Sequence, residues 1–322
     1  MERHISPFKD LKSLFKLIRV FKHERPSIVH SITPKAGMLC MVAAKIVGVP
    51  HRIHTFTGLV FPTSKGFKRK LLMLTDRITC FCANHIIPEG EGVKNDLLSN
   101  KITKKELHVL GFGNVKGVDM VRFSYRENVL HIVQQIKETD IFTFLFVGRI
   151  VEDKGINELV AAMNLLIKKH EKIRLILIGE YEDRLNPISK ETKQLIDEQP
   201  AITTVGRKNE DELVAYYATA DCFVFPSYRE GFPNTVLEAG AMGLPSIVTN
   251  INGSREIIEE GKNGLIIPSH DADALYHAME TILINDGIRK EMASNARRMI
   301  EERYEQGFVR KCLYNFYKDI TS

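Results

Sequence analysis

The sequence predicts an α/β protein made of two doubly wound parallel-sheet domains. Three observations carry that expectation. Short apolar, β-rich runs alternate with helical patterns along most of the 322 residues, and such alternation means a parallel sheet covered by helices. The length suffices for two separate cores. Residues 220–245, ADCFVFPSYREGFPNTVLEAGAMGLP, then spell a whole unit. Cys222-Phe223-Val224-Phe225 has the length of a buried strand, Pro226, Ser227 and Gly231 break it, and helical spacing resumes at Thr235 and ends at Gly243-Leu244-Pro245.

Taken in order, residues 10–24 read as a helix. Leu11, Leu14, Phe15, Ile18 and Phe21 form its apolar stripe, with Lys12, Lys16, Arg19 and Lys22 mostly opposite. A core-packed helix with a solvated basic face is the favoured reading, and a membrane-surface helix the alternative. Strands are expected at 27–30, 52–56, 78–83 and 107–110, with helices at 36–47, 67–74 and 91–99. Gly111-Phe112-Gly113 with Gly117 misses the G-x-G-x-x-G spacing by one place and reads as a turn leaving the first domain. Residues 117–124 are the expected linker. In the second half, strands are expected at 142–147, 174–178, 202–205, 222–225, 246–248 and 265–267. Helices are expected at 155–170, 211–218 and 271–283, and a last one at 308–320. The domains expected are 1–124, 125–307 and a terminal helix, 308–322, that crosses back to the first.

Composition narrows the functions. No apolar run is long enough to span a bilayer, and no secretory pattern opens the chain. Five cysteines without zinc spacing read as reduced core thiols of a cytosolic protein, with Cys80 and Cys82 separated by one residue on a single strand. Residues 1–125 hold 21 Lys and Arg against 9 Asp and Glu, a net of +12, whereas 126–322 hold 24 against 31, a net of −7. A basic first half suits an anionic partner, and an anionic membrane surface is expected before nucleic acid, for which no reading module is visible.

The chemistry concentrates at the loop after residue 225. Glu230 lies beyond the strand and Glu238 one turn into the next helix, about 6 Å below its cap at 1.5 Å per residue. With Asn234 as N-cap, free backbone amides face the loop and favour phosphate. Donors for phosphate and carboxylates for hydroxyls suit a sugar nucleotide. Gly148-Arg149 ends one strand and Lys154-Gly155 opens its helix, so two cations stand beside a helix N-terminus. Asp271-Ala272-Asp273 has a metal-binding spelling, but it precedes a helix and is better explained by capping. No metal and no cofactor are expected.

The run Glu230-Gly231-Phe232-Pro233-Asn234-Thr235-Val236-Leu237-Glu238 resembles the E-x7-E signature of retaining GT-B glycosyltransferases of family 4. Gly243-Leu244-Pro245, Gly253-Ser254-Arg255-Glu256 and Gly261-Lys262-Asn263-Gly264-Leu265 are similar to that family too. Residues 31–37 and 54–58 look like segments of its bacterial surface-polysaccharide subgroup. The resemblance implies two Rossmann-like domains facing a cleft and a hexose or N-acetylhexosamine moved with retention. The donor implied is a nucleotide sugar, first of all a UDP-sugar. A lipid-linked saccharide would accept it at the cytoplasmic face of the membrane, in capsule, O-antigen or exopolysaccharide assembly.

The same resemblance implies that Glu230 holds the sugar hydroxyls, Glu238 the ribose, and Arg149 and Lys154 the diphosphate, with Gly148 beside them. Gly231, Phe232, Pro233, Asn234 and Thr235 would bring backbone to sugar and phosphate, and Arg207 would meet the base. Either His54 or Thr57 would face the reacting sugar, and a buried, hydrogen-bonded His54 is the other reading. A complete first domain of this family begins with a strand and a glycine-rich loop, so a first domain lacking its initial strands is expected, with Met1 internal to a longer protein. A silent nucleotide-sugar-binding remnant and a GT-B-like epimerase stay open as other classes.

Overall fold

A computed structural model describes residues 7–182, 184 and 186–322. The chain divides into two compact units, Met1–Val115 with Val309–Ser322, and Lys116–Phe308. The boundary falls before 117–124, the segment expected to be a linker. That segment is anchored inside the second unit: the Val118 amide donates to the Tyr304 carbonyl at 2.8 Å and the Gln306 amide to the Val118 carbonyl at 3.0 Å.

In the first unit the elements run α1 (Pro7–Glu24), β1 (Ile28–Ser31), α2 (Pro34–Val47), β2 (His51–Phe56), α3 (Gly66–Cys82), β3 (His85–Pro88) and α4 (Glu91–Ser99). The three strands are parallel in the order β1-β2-β3. Pro34 at the start of α2 and left-handed Gly48 at its end mark that helix in the sequence. Two expected strands are absent. Residues 78–82 are the last turns of α3, so Cys80 and Cys82 lie on a helix. The β-rich local pattern loses there to a helical face, Leu72, Met73, Cys80 and Cys82, that packs into the unit's core. Residues 107–110 touch β3 through the His108 amide and the Ile86 carbonyl, 3.0 Å, without forming a strand. The apolar stripe expected on α1 divides as well. Phe21 packs on the core, while Leu11 and Phe15 are exposed.

The second unit contains α5 (Glu127–Ile136), β4 (Phe142–Val147), α6 (Ile156–Leu166), β5 (Ile173–Ile178), α7 (Lys190–Glu198), β6 (Ile202–Thr204), α8 (Glu210–Thr219), β7 (Cys222–Phe225), α9 (Asn234–Ala241), β8 (Ser246–Thr249), α10 (Ser254–Ile257), β9 (Gly264–Ile267), α11 (Ala272–Ile284) and α12 (Asp286–Tyr304). Helix α13 (Gln306–Thr321) follows, and from Val309 it belongs to the first unit, where Phe316 packs with Ile53 and Ile87. The six-stranded parallel sheet has the order β6-β5-β4-β7-β8-β9. By sequence rank that is 3-2-1-4-5-6, the doubly wound order. Its strands read as continuous apolar runs, FTFLFV in β4 and CFVF in β7, because helices cover both faces. Strand order reverses between the neighbours β4 and β7, Phe144 pairing with Cys222 and Leu145 with Phe223. A ligand crevice forms outside the carboxyl ends at such a switch point.

All five cysteines are free thiols. Among the described residues, no helix is long and apolar enough to cross a membrane.

Candidate functional site

The loops leaving β4 and β7 meet at that switch point. Lys154 ends a short 3-10 turn, and Gly155 behind it has φ +69°. A Cβ on Gly155 would lie 2.1 Å from the Pro226 carbonyl oxygen, so only glycine lets the two loops touch. Ser227 Oγ donates to the Asp153 carbonyl at 3.2 Å, and the Tyr228 amide donates to the same carbonyl at 2.9 Å. This backbone contact brings two residues 76 apart in sequence together: Lys154 Nζ makes an ion pair with Glu230 Oε1. Both side chains are largely covered, 16% and 18% exposed, so the pair is only weakly screened by solvent. Ser227 Oγ donates to the same Glu230 oxygen at 2.9 Å, and the ammonium lies 5.0 Å from the Phe225 ring centre.

After Glu230 the chain turns into α9. Gly253 (φ +73°) backs the turn, and a Cβ there would be 2.4 Å from the Gly231 carbonyl oxygen. Phe232 is buried, 5.5 Å from the Tyr304 ring, and fixes the loop from beneath. The cap is one residue earlier than expected. Pro233 takes the N-cap position, its carbonyl accepting from the Val236 amide at 3.1 Å, and Asn234 is the first helical residue. A proline offers no capping oxygen, so the N-cap side chain satisfies none of the early amides of α9. Asn234 and Thr235 are half-buried at that turn.

Glu238 lies half-buried on α9. It accepts a hydrogen bond at 3.2 Å from the hydroxyl of fully buried Tyr217, which also reaches the Thr235 carbonyl at 3.3 Å. Burial raises the Glu238 carboxyl above the ordinary range, partly offset by Lys116, by the Tyr217 hydrogen bond and by Arg122. Beside β4 a cavity of about 530 Å³ is lined by Gly148, Arg149, Gly179, Arg122, Arg207 and Lys208, among others. It suits a flat base with phosphates at its edge. Arg149 is exposed and paired with Glu182. Asp271 Oδ1 accepts from the Ala274 amide at 2.8 Å and so caps α11, as its place in the sequence suggests.

Lys154 and Glu230 therefore meet, and Gly148, Arg149 and Arg207 share one cavity. His54 belongs to the first unit. It is 1% exposed, with Nδ1 on Ser31 Oγ at 2.8 Å and its ring edge on Phe56. Burial, and secondarily His30, lowers its pKa to about 4, so it is neutral near pH 7. Thr57, three residues on, is exposed. Sequence reasoning missed Tyr217, which stands 21 positions before Glu238 with no local signal. It also missed Ser227, although a serine three residues before an acid is a recognisable turn pattern.

Two family profiles match the chain. One is described as glycosyl transferases group 1 and matches residues 128–299, more than half of the protein. The other, a glycosyl transferase 4-like domain, matches residues 1–113. The chain belongs to the glycosyl transferases of group 1. This glycosyl transferase is 34% identical over 318 residues to the capsular polysaccharide biosynthesis glycosyltransferase CapM of Staphylococcus aureus, covering 98% of itself and 83% of that protein. It is 28% identical over 306 residues to the Escherichia coli UDP-Gal:alpha-D-GlcNAc-diphosphoundecaprenol alpha-1,3-galactosyltransferase, covering 92% and 76%. Among solved structures, Anabaena HepE in complex with UDP superposes with a TM-score of 0.81 at 17% identity, over 95% of this chain and 82% of that one. The fold is that of the GT-B enzymes, with a parallel sheet in each of two domains.

Proposed function

We propose that this glycosyl transferase moves a hexose or N-acetylhexosamine, with retention, from a UDP-sugar to a lipid-linked saccharide. The process served is bacterial capsule or related surface-polysaccharide assembly at the cytoplasmic face of the membrane. The observation that carries the donor site is the Lys154–Glu230 pair at the switch point of the second sheet. It sets a cation for diphosphate beside a carboxylate for sugar hydroxyls. Relatives named for capsule synthesis and for a UDP-sugar acting on a diphosphoundecaprenol acceptor support the substrate classes.

In this reading Glu230 accepts hydrogen bonds from the sugar and Glu238 from the ribose. Lys154 and Arg149 neutralise the charge that develops on the leaving diphosphate, the largest electrostatic contribution available to such a site. Arg149 exchanges Glu182 for phosphate, and Arg207 borders the base. Gly231, Phe232, Pro233, Asn234 and Thr235 shape the wall against sugar and phosphate, with Gly148 at the cavity floor. The leaving phosphate takes the acceptor's proton, so no protein base is required.

The first test is thermal shift with UDP, GDP and ADP on the wild type and Glu238→Ala. UDP is expected to stabilise the wild type most, and the variant is expected to lose most of that shift. Equal shifts for all three, or an undiminished shift in the variant, would overturn the assignment. Product analysis then distinguishes a saccharide on the acceptor from an isomerised donor. Because Lys154 and Arg149 take the place of a divalent cation and Asp271 is committed to capping, transfer is expected to survive EDTA undiminished. A loss restored by Mg²⁺ or Mn²⁺ would show that a metal shares the diphosphate.

A further inference from the structure

Helix α3 carries a feature that the donor site does not use. Its inner face packs Leu72, Met73, Cys80 and Cys82 against the first unit's core. Its outer face is not polar. Phe67, Leu71, Leu74, Ile78 and Phe81 are 81%, 36%, 51%, 36% and 68% exposed. They recur at steps of four, three, four and three, so they form one stripe about 20 Å long on a helix rising 1.5 Å per residue. Contiguous exposed apolar surface of this kind marks an interaction site rather than ordinary surface.

The charges around the stripe select the partner. At 100° per residue, Lys70 and Arg77 fall on one flank of the stripe and Lys68 on the other, while the helix's one acid, Asp76, falls on the opposite, inward side. Lys65 stands at the N-cap, and Lys45 Nζ lies 3.3 Å over the Phe81 ring. None of Lys65, Lys68, Lys70 and Arg77 has a carboxylate partner among the described residues. Apolar side chains between unneutralised cations match a bilayer interface, where rings and leucines enter the acyl boundary and lysines meet anionic headgroups.

We propose that the outer face of α3 is the surface by which this protein seats on an anionic membrane, with Phe67, Leu71, Leu74, Ile78 and Phe81 inserted and Lys68, Lys70 and Arg77 on the headgroups. This places the contact on α3, not on the basic α1 that the sequence suggests. It rests on the membrane-facing reading of the function only in its choice of a lipid partner.

The test is co-sedimentation of the full chain with phosphatidylcholine vesicles with and without phosphatidylglycerol. The wild type is expected to sediment with the anionic vesicles and far less with the neutral ones. Phe67→Gln with Leu74→Gln is expected to lower partition about tenfold through lost insertion. Lys68→Gln with Lys70→Gln is expected to lower it roughly fivefold per cation and to flatten the salt dependence. Far-UV circular dichroism and the UDP thermal shift check that each variant is folded. Failure of the wild type to bind anionic vesicles, binding that both variants retain, or a dimer that the glutamines dissociate would each overturn the proposal. The assay holds no sugar nucleotide and reads no transfer, so its failure leaves the donor site standing, and a failed transfer assay leaves it standing in turn.

Discussion

Lys154→Met is expected to lower kcat about 10²- to 10³-fold, the size of effect seen when one preorganised donor to a developing anion is removed. Glu230→Gln is expected to match it, for a related reason. In the wild type each group is held by the other, and Glu230 also by Ser227, with both side chains largely covered from solvent. Removing either leaves an unpaired charge in partly desolvated surroundings, which costs more than losing the attraction alone. The double variant Lys154→Met/Glu230→Gln should therefore fall far short of the product of the two single losses. Steady-state rates of all three variants with melting temperatures alongside decide it. Full additivity in kcat would mean that the two groups act on the donor separately, and the reading of the pair as one unit would fail. A conservative Lys154→Arg is not expected to rescue, since the larger guanidinium must fit beside the Phe225 ring.

The second unit was largely legible in the sequence, and the first was not, for physical reasons that particular elements show. β4 and β7 are buried on both faces, so their apolar runs are continuous and their ends are marked by Gly148 and Pro226. Tertiary environment and local propensity agree there, and the strands fall where propensity puts them. In α3 they disagree. Ile78-Thr79-Cys80-Phe81-Cys82 has the β-branched and aromatic character of a strand, yet it continues a helix begun at Gly66. Its exposed stripe and its packed inner face together make it apolar nearly all round, which hides the helical period. Helix-breaking chemistry is also absent before Ala83. The strand that does form there, β3, is only four residues long and sits behind Asn84, too short to stand out.

The candidate site divides in the same way. Glu230, Glu238, Arg149 and Lys154 lie at strand ends and helix starts, where sequence punctuation is strongest. What holds them is not local. Tyr217 reaches Glu238 from α8, and Thr249 donates to the Ser227 carbonyl from the end of β8, a link that braces the Glu230 loop. Those partners follow from strand order, which one sequence does not spell out. His54 shows the limit from the other side. The family resemblance offers it, beside Thr57, for the reacting sugar, and its position in β2 buries it against Ser31 and Phe56.

Two desolvated groups in the first unit, buried His54 and half-buried Asp76, should give its stability opposing responses to pH, and Asp76→Asn should separate them. Asp76 has no ion-pair or hydrogen-bond partner among the described residues, and burial raises its pKa from 3.8 to about 7. The fold thus prefers the protonated acid. Its cost is absent below the unfolded value and complete once pH exceeds about 7. His54 runs the other way: its pKa falls from 6.5 to about 4, so its contribution is complete above 6.5 and is lost as pH drops toward 4. At 1.36 kcal/mol per unit each group spans about 3–4 kcal/mol, less for Asp76 because it is partly open to solvent. In the wild type the two nearly cancel between pH 4 and 7, with His30, also lowered by burial, adding to the histidine side. Asp76→Asn is expected to stabilise the protein by about 2–3 kcal/mol at pH 8, to change little at pH 4, and to expose an acid-side loss of about 3 kcal/mol that the wild type masks. Urea melts of both proteins across pH 4–8 measure this. A variant equally stabilised at both ends would mean that the asparagine improves packing, not that it removes a buried charge. Asp76 lies inward on the helix whose outer stripe is proposed to meet lipid, so the charge it carries at pH 8 weakens the seating of that helix. Lowering the pH toward 4 protonates it and should tighten α3 on the core without altering the cations outside.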